Sequence, residues 1–238
     1  MDSHEGTYTK KFSARVEATF PGIIELDQTA FYHLGGGQPA DYGVLNWDGG
    51  KAYVNDVRKK NRIRHFIDGD SPEVGVQVEG EIDWTRRYSH MRMHTSQHLV
   101  SAVVNELYNS DTVGNQIGAE NSRIDFKPLS ISQSEIEHIQ EIVNDYVSKD
   151  LKVNISEELR SNLENNKDLR SSMSSGLWKT LPANVKKLRV ISIGDIDVCP
   201  CAGTHVRSLK EIGEVEFIKK KNKGSQKTRL TYKLNNFN

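Results

Sequence analysis

Two pairs of residues that can bind a metal ion lie far apart in this chain. His94 and His98 belong to the sequence His-Thr-Ser-Gln-His, whereas Cys201 and His205 belong to Cys-Ala-Gly-Thr-His. Residues i and i+4 of a helix lie on one face, roughly 6 Å apart, so both imidazoles of the first pair can bind one ion. The second pair supplies a thiolate and a further imidazole, and this mixture suits zinc. If the fold joins the two pairs, they make one four-ligand Zn²⁺ site per chain.

Neighbouring residues indicate which side chains bind the metal and which kind of enzyme is excluded. The histidine pair lacks the glutamate of an HExxH motif, so the general base of a metalloprotease is missing at that place. His90 lies on nearly the same helical stripe, and we expect it at the surface or behind the ligands. Cys199 is a rival to Cys201, but the proline between them restricts how both sulfurs could turn inward. Gly203 lets the backbone bend so that Cys201 and His205 converge, and we therefore favour Cys201.

The third feature that could bind a ligand is a run of three glycines, Gly35, Gly36 and Gly37. No side chain obstructs their backbone N–H groups, so a phosphate or a ribose could approach them closely. The segment is not a P-loop, because no Gly-Lys-Ser or Gly-Lys-Thr follows. A turn that needs positive φ at several residues would explain the glycines equally well. The residues alone leave both interpretations open.

Length and composition indicate a globular protein. The chain has 238 residues, enough for one large domain or two modest ones, each with its own core. Its hydrophobic fraction of 36% and mean hydropathy of -0.62 are typical of a soluble protein. No apolar run is long enough for a transmembrane helix, and the polar N-terminus resembles no signal peptide. We expect a cytoplasmic protein with no membrane partner, and no obligate protein partner is evident.

Cysteine spacing and charge distribution bear on cofactor and partner. Cys199 and Cys201 are too close for a stabilising disulfide, and a Cys/His cluster in a cytosolic chain more often holds metal. The formal net charge is zero, which argues against a protein coated with nucleic acid. Basic residues nevertheless cluster at 58–64, 186–189 and 219–229. Such patches can bind phosphate backbones, although each could equally be a solvated face.

The hydrophobic pattern changes near Asp83, and we predict two domains, residues 1–83 and 84–238. Residues 10 to 80 show short alternating runs between turn signals, which predicts a small β-barrel or sandwich. The second part has the pattern of an α+β domain. Three helical stretches are predicted: residues 92–109, a helix that begins at a capping box at Ser132, and residues 157–176. The predicted strands are 122–126, 152–155, 187–193, 214–219 and 227–234.

Four segments together resemble the alanyl-tRNA editing proteins called AlaX, freestanding relatives of the editing domain of alanyl-tRNA synthetase. The segments are residues 29–43, 92–99, 122–126 and 201–206, and they occur in this order along nearly the whole chain. The glycine-rich segment is similar to the medium-length form. The related editing domain of threonyl-tRNA synthetase shares both ligand pairs, but it has proline at the position of Thr204 and lacks the glycine-rich domain. Ala202 departs from the family, which commonly has glycine there.

The resemblance implies an α+β fold, with an N-terminal small β-barrel domain followed by a zinc-binding editing domain of the threonyl/alanyl-tRNA synthetase type. It also implies hydrolysis of the ester that joins serine, or glycine, to the 3′-terminal ribose of tRNA(Ala). Thr29 would be the specificity residue, its hydroxyl meeting the serine side chain, and Gln97 would be a polar residue of the catalytic pocket. Gly35, Gly36 and Gly37 would lie near the tRNA end or shape the pocket mouth.

Two alternatives stand beside this interpretation. One is a threonyl-type editing deacylase that acts on another tRNA, and the other is a non-enzymatic, zinc-stabilised tRNA-binding module. Four protein ligands fill a tetrahedral site, which is usual for structural zinc. The residues therefore leave open whether zinc is structural, orients the substrate or takes part in hydrolysis.

Overall fold

The N-terminal strands form a closed barrel. A computed structural model of the protein describes residues 3–165, 184–224 and 226–236. Six strands close in the order β1-β2-β5-β4-β3-β6. They are β1 (Lys11–Phe20), β2 (Ile23–Leu26), β3 (Gly43–Trp47), β4 (Gly50–Lys59), β5 (Ile63–Gly69) and β6 (Gln77–Ile82). Alternate residues are buried along β6, as expected when one face of each strand lines a barrel core. The predicted small barrel is confirmed.

Two helices flank the barrel in sequence. The short helix α1 (His4–Tyr8) precedes it and the long helix α2 (Trp84–Tyr108) follows it. Asp83 caps α2, because its carboxylate accepts a hydrogen bond from the Arg86 backbone N–H at 3.0 Å. The predicted start near residue 92 is therefore too late. The first turns of α2 carry charged side chains, which hide the apolar stripe that a sequence pattern relies on.

The rest of the described chain forms two antiparallel sheets and three short or medium helical elements. One sheet has the order β12-β13-β8-β7 and the other β11-β10-β9. The strands are β7 (Asp111–Gln116), β8 (Asn121–Lys127), β9 (Val153–Leu159), β10 (Lys187–Ile193), β11 (Asp197–Pro200), β12 (Glu214–Asn222) and β13 (Thr228–Asn235). The helices are α3 (Gln133–Ser148), α4 (Arg160–Asn165) and a 3-10 helix at Leu209–Ile212. The predicted capping box at Ser132 is present.

The structure also differs from the prediction in one predicted helix and in two strands that were not predicted. Residues 157–159 belong to β9 rather than to a helix, because Glu157 and Glu158 pair with β10. Of the predicted polar helices, Arg160–Asn165 is helical, and residues 166–176 lie outside the described residues. Strands β7 and β11 were not predicted. Both lie at the edge of their sheets, where one side of the backbone faces no further strand and polar residues, glycine or proline are tolerated.

Helix α2 is the central element of the second part of the fold. Every residue from Met93 to Val104 is buried, so this stretch is enclosed on all sides rather than along one stripe. Polar side chains within it must therefore find partners inside the protein. Among the described helices, none combines the length and apolar character needed to cross a membrane. The burial of a polar sequence in α2 is the feature that positions the site.

Candidate metal centre

The structure brings the two predicted ligand pairs together. Helix α2 carries His94 and His98, and the loop after β11 carries Cys201 and His205. One ligand atom from each residue lies within 4.8 Å of all the others. Cys201 Sγ lies 3.6 Å from His94 Nε2 and 3.4 Å from His205 Nε2. Among the residues that the structure describes, this is the only group of its kind, and it could hold a metal ion.

Each histidine of the centre is oriented by a hydrogen bond at its Nδ1 atom. The contacts are His94 Nδ1 to Gln38 Oε1 at 2.8 Å, His98 Nδ1 to Asp197 Oδ2 at 2.9 Å, and His205 Nδ1 to Thr95 Oγ1 at 3.1 Å. The Thr95 hydroxyl donates to the Met91 carbonyl, so its oxygen accepts from His205. Oxygen acceptors of this kind place the proton on Nδ1 and leave Nε2 as the metal-binding atom.

The charge state of Cys201 also suits a metal ion. Burial by itself raises the pKa of the thiol, but the nearby His94 and His205 rings hold this pKa well below its usual range. A lowered pKa favours the thiolate, which is the form that binds metals. Burial lowers the pKa of His205, which favours its neutral, metal-binding form.

Gly203 is required for a different reason from the predicted one. A Cβ atom at this position would lie 2.1 Å from Cε1 of His94. The backbone φ of Gly203 is not positive, so close approach to the imidazole, rather than freedom to bend, explains the glycine.

Cys199 and His90 lie outside the centre. Cys199 belongs to β11, and its Sγ lies 3.6 Å from the Pro200 carbonyl oxygen. His90 is only 1% exposed, so of the two expected positions, at the surface or behind the ligands, the surface one is excluded. Its Nδ1 has no hydrogen-bond partner among the described residues, and burial, together with the nearby Arg86, lowers its pKa to about 4. His90 is thus a neutral buried residue behind the ligands.

The three glycines form a tight turn beside the metal centre. The backbone N–H and C=O groups of Gly35 and Gln38 bond to each other at 3.2 and 2.9 Å. The two central residues, Gly36 and Gly37, have φ of 58° and 78°, values that favour glycine. A Cβ on Gly36 would lie 3.9 Å from His94 Cε1. The turn therefore lies against the first ligand of the centre, and Gly36 and Gly37 are exposed there.

Gln97 does not face the four ligands. Its Nε2 donates to Ser101 Oγ at 2.8 Å, and its Oε1 accepts from Asn115 Nδ2 at 3.3 Å. Asn115 also lies directly under the glycine turn, because a Cβ on Gly37 would lie 2.2 Å from Asn115 Oδ1. Asn115 therefore links Gln97 to the turn. Asn115 was not predicted as a site residue, because nothing in its local sequence marks it.

Thr29 lies on the barrel and contacts a buried histidine. Its Oγ1 is 2.9 Å from Nε2 of His65, whose Nδ1 is 3.3 Å from the Ile24 carbonyl oxygen. A carbonyl can only accept, so the His65 proton lies on Nδ1 and the Thr29 hydroxyl donates to Nε2. Burial lowers the pKa of His65 to about 4, which keeps it neutral. Thr29 Oγ1 also accepts from the Phe31 N–H at 3.1 Å.

A buried ion pair holds the glycine-containing segment against α2. Asp41 and Arg87 both have fully buried side chains, and both carboxylate oxygens lie 3.0 Å from Arg87 Nε. Arg87 also donates to the Ala30 carbonyl at 2.6 Å and the Thr7 carbonyl at 2.8 Å. Asp41 in turn accepts from the Tyr32 N–H at 2.6 Å. Neither residue was singled out from the sequence, because a charged pair separated by 46 positions leaves no local pattern.

Two family models match parts of the chain. Residues 188–231 match the threonyl and alanyl tRNA synthetase second additional domain. Residues 5–86 match the class II (A) tRNA synthetases. The first match contains Cys201 and His205, and the second covers the barrel and the glycine turn.

Several curated proteins are similar over most of this chain. An alanyl-tRNA editing protein AlaX-M of Methanosarcina barkeri is 36% identical, with 95% of each chain covered. An alanyl-tRNA editing protein AlaX-L of Pyrococcus horikoshii is 36% identical over 82% of this chain and 47% of its own length. An alanine–tRNA ligase of Pyrobaculum neutrophilum is 36% identical over 91% of this chain and 25% of its own length.

Proposed function

The chain belongs to the AlaX family of alanyl-tRNA editing proteins, and from this premise we propose that it removes a wrong amino acid from tRNA(Ala) by hydrolysing the aminoacyl ester. Serine is the principal wrong amino acid and glycine a second one. The observation that carries the proposal is the contact between the barrel's glycine turn and the metal centre, through Gln38 and His94. We also propose a division into a barrel domain, residues 1–83, and an editing domain, residues 84–238.

Zn²⁺ is the ion proposed for the centre. A tetrahedral zinc with its usual bond lengths places a sulfur and a nitrogen ligand about 3.6 Å apart. The two measured separations from Cys201 Sγ, 3.6 and 3.4 Å, agree with this value. One thiolate with three imidazoles is also a donor set that suits zinc. When bound, zinc supplies positive charge that can orient an aminoacyl group or acidify a water.

Thr29 is the proposed specificity residue, and its hydrogen bonds indicate how it would act. The Thr29 hydroxyl donates its proton to His65, and one of its two lone pairs accepts a hydrogen bond from the Phe31 N–H. The remaining lone pair can accept a hydrogen bond but has no proton to offer. Thr29 would therefore recognise a substrate side chain that donates. The serine hydroxyl meets this requirement, whereas glycine and alanine have no such group, so we propose that serine is preferred to glycine.

Gln97 and the glycines are proposed to shape the pocket rather than to bind metal. Ser101 and Asn115 hold the Gln97 amide in one orientation, which suits a fixed polar group at the pocket wall. Gly36 and Gly37 are exposed next to His94, and Gly35 is half-buried. An exposed turn without side chains gives the 3′-terminal ribose room to approach the centre.

A basic hairpin is the proposed contact for tRNA phosphates. The end of β12 and the following turn expose Lys219, Lys220, Lys221 and Lys223. Lys221 and Arg229 together lower the pKa of Lys223, which shows that cations crowd this surface. Such crowding is relieved by a polyanion, so the acceptor-stem backbone fits here better than an uncharged partner.

A deacylation panel tests the proposal against its alternatives. Purified protein is incubated with seryl-, glycyl- and alanyl-tRNA(Ala), and with seryl-tRNA(Thr), and the released amino acid is measured. We expect release of serine, and more slowly glycine, from tRNA(Ala), with alanyl-tRNA(Ala) spared. Release only from tRNA(Thr) would support a threonyl-type deacylase. Binding of tRNA without any release would support a zinc-stabilised binding module.

The metal assignment has its own test. His94→Ala and Cys201→Ala should each lower bound zinc, measured by elemental analysis of the purified protein, and should abolish deacylation. Cys199→Ala is the matched control, because Cys199 is the other cysteine and lies outside the centre. Full zinc content in the Cys201 variant, or zinc loss in the Cys199 variant, would contradict the assignment.

A further inference from the structure

Gln38 contacts both halves of the metal centre, His94 on α2 and Thr204 in the Cys201–His205 loop. Its side chain is fully buried at the end of the glycine turn. Its Oε1 lies 2.8 Å from His94 Nδ1 and 3.1 Å from the Thr204 backbone nitrogen, and its Nε2 lies 2.8 Å from Thr204 Oγ1. We propose that Gln38 is a positioning residue, supplied by the barrel, that sets the tautomer of His94 and joins the two ligand pairs.

The Thr204 backbone determines which way the Gln38 amide points. A backbone N–H can only donate, so the amide atom facing Thr204 N must be the oxygen. The same oxygen faces His94 Nδ1, which must therefore carry the ring proton. The proton is then absent from His94 Nε2, the atom that faces Cys201 Sγ at 3.6 Å. One amide thus fixes both the rotation and the protonation of the ligand.

The glycine turn is what delivers this amide to the centre. Gly36 and Gly37 adopt positive φ, so the chain reverses within two residues and Gln38 follows directly on the inner side. A side chain on Gly37 would collide with Asn115, and one on Gly36 would approach His94. The glycines are therefore needed for the placement of Gln38, whatever part they also take in binding RNA.

The bridge has an energetic consequence. Both polar atoms of the Gln38 amide, Oε1 and Nε2, are hydrogen-bonded inside the protein. Removing this amide leaves its partners on His94 and Thr204 unsatisfied, at a cost of about 1–3 kcal/mol each. Without Gln38, His94 loses the bond that selects its tautomer. Thr204 also loses the two bonds that hold the Cys201–His205 loop against the glycine turn. We therefore expect metal affinity to fall, without loss of any direct ligand.

Metal affinity measured without tRNA tests the proposal independently of which ester is hydrolysed. Gln38→Met keeps the side-chain volume and removes both polar atoms, and Gln38→Glu keeps an acceptor for His94 and Thr204. We expect zinc affinity, from chelator competition, to fall about 10- to 100-fold in Gln38→Met and to be largely restored in Gln38→Glu. Gln77→Met, an exposed change of the same chemistry on β6, is the control and should bind like the wild type.

A spectroscopic signature distinguishes positioning from general destabilisation. In the cobalt-substituted protein, the visible bands report the geometry of the thiolate-containing site, and they should change in Gln38→Met but not in Gln77→Met. If Gln38→Met does not fold, Gln38→Asn takes its place, because it keeps an amide that is one methylene too short to reach His94. Wild-type zinc affinity and cobalt bands in Gln38→Met, or in Gln38→Asn where that variant replaces it, would overturn the proposal.

Discussion

At the scale of single residues, the hydrogen-bond state of Thr29 is the most specific consequence of the fold. A threonine hydroxyl can donate or accept, and a sequence cannot say which. His65 removes this ambiguity, because it is neutral and presents a lone pair to Thr29. Thr29, the residue proposed to receive the substrate side chain, is then an acceptor. The proposed preference for serine therefore depends on His65, a barrel residue that no motif identifies.

Thr29→Val tests this role. The change removes the hydroxyl and keeps the branched shape, so the rate of seryl-tRNA(Ala) hydrolysis should fall about 10- to 100-fold under single-turnover conditions. Glycyl-tRNA(Ala) hydrolysis should change much less, because glycine has no hydroxyl to lose a partner. Thr29→Ser keeps the hydroxyl and is the control. Equal losses for the serine and glycine esters would remove Thr29 from the specificity site.

The neutral state of His65 predicts how the free energy of unfolding depends on pH. Its pKa is about 4 in the folded protein and 6.5 in its ordinary environment, so the unfolded chain binds a proton more readily between these values. The stability it contributes is present above pH 6.5 and is lost as the pH falls toward 4, by up to about 3 kcal/mol.

Urea unfolding at pH 7 and pH 4.5 measures this effect. His65→Gln does not titrate in this range, so its free energy of unfolding should fall less than that of the wild type over the same interval. His138→Gln, a change at an exposed histidine on α3, should behave like the wild type. An identical decrease in wild type and His65→Gln would contradict the neutral state assigned to His65.

At the scale of elements, the loop after β11 and helix α2 lie close enough for their four ligand residues to hold one ion. Gly203 is the point of closest approach, since a Cβ there would lie 2.1 Å from the His94 ring. The ring cannot move away easily, because Gln38 holds its Nδ1. A single methyl group at this contact would therefore separate the two ligand pairs.

Gly203→Ala should accordingly lower zinc affinity more than it lowers folding stability. We expect at least a tenfold weaker affinity, roughly the effect of losing a good hydrogen bond, by chelator competition. Ala202→Ser, at the exposed neighbouring position, is the control and should bind zinc normally. Unchanged zinc affinity in Gly203→Ala would show that the loop can shift without cost.

The elements differ in how far the sequence could predict them. The spacing of His94 and His98 predicted a shared helical face, and the capping box at Ser132 predicted the start of α3, because both are local patterns. The edge strands β7 and β11 were missed, since their polar residues lack the alternation of a half-buried strand. Gln38 and Asn115 were missed for another reason. Their contacts with the site cross 56 and 18 positions and depend on the tertiary fold.

At the scale of the whole molecule, the barrel and the metal centre are joined by buried polar contacts rather than by apolar packing alone. Gln38 reaches the centre from the barrel side, and Asp41 and Arg87 fasten the same segment to α2. The ion pair also positions the carbonyl of Ala30, next to Thr29. A change in this pair should therefore affect the proposed specificity residue as well as stability.

Arg87→Met should destabilise the protein by about 3–5 kcal/mol, because it leaves the buried Asp41 carboxylate without its cation. Guanidinium unfolding of the zinc-loaded protein measures the loss. The double variant Asp41→Asn, Arg87→Met should be more stable than Arg87→Met alone, since no buried charge remains. A loss below about 1 kcal/mol in Arg87→Met would indicate that water or another group compensates the carboxylate.

The most direct test of the central claim is the relative rate at which the zinc-loaded protein releases serine and alanine from the same tRNA(Ala). Both esters share the tRNA and the bond that is cleaved. They differ only by the serine hydroxyl, from which Thr29 is proposed to accept a hydrogen bond. We predict that seryl-tRNA(Ala) is hydrolysed at least about a hundredfold faster than alanyl-tRNA(Ala). Equal rates for the two esters, or no release of serine, would contradict it.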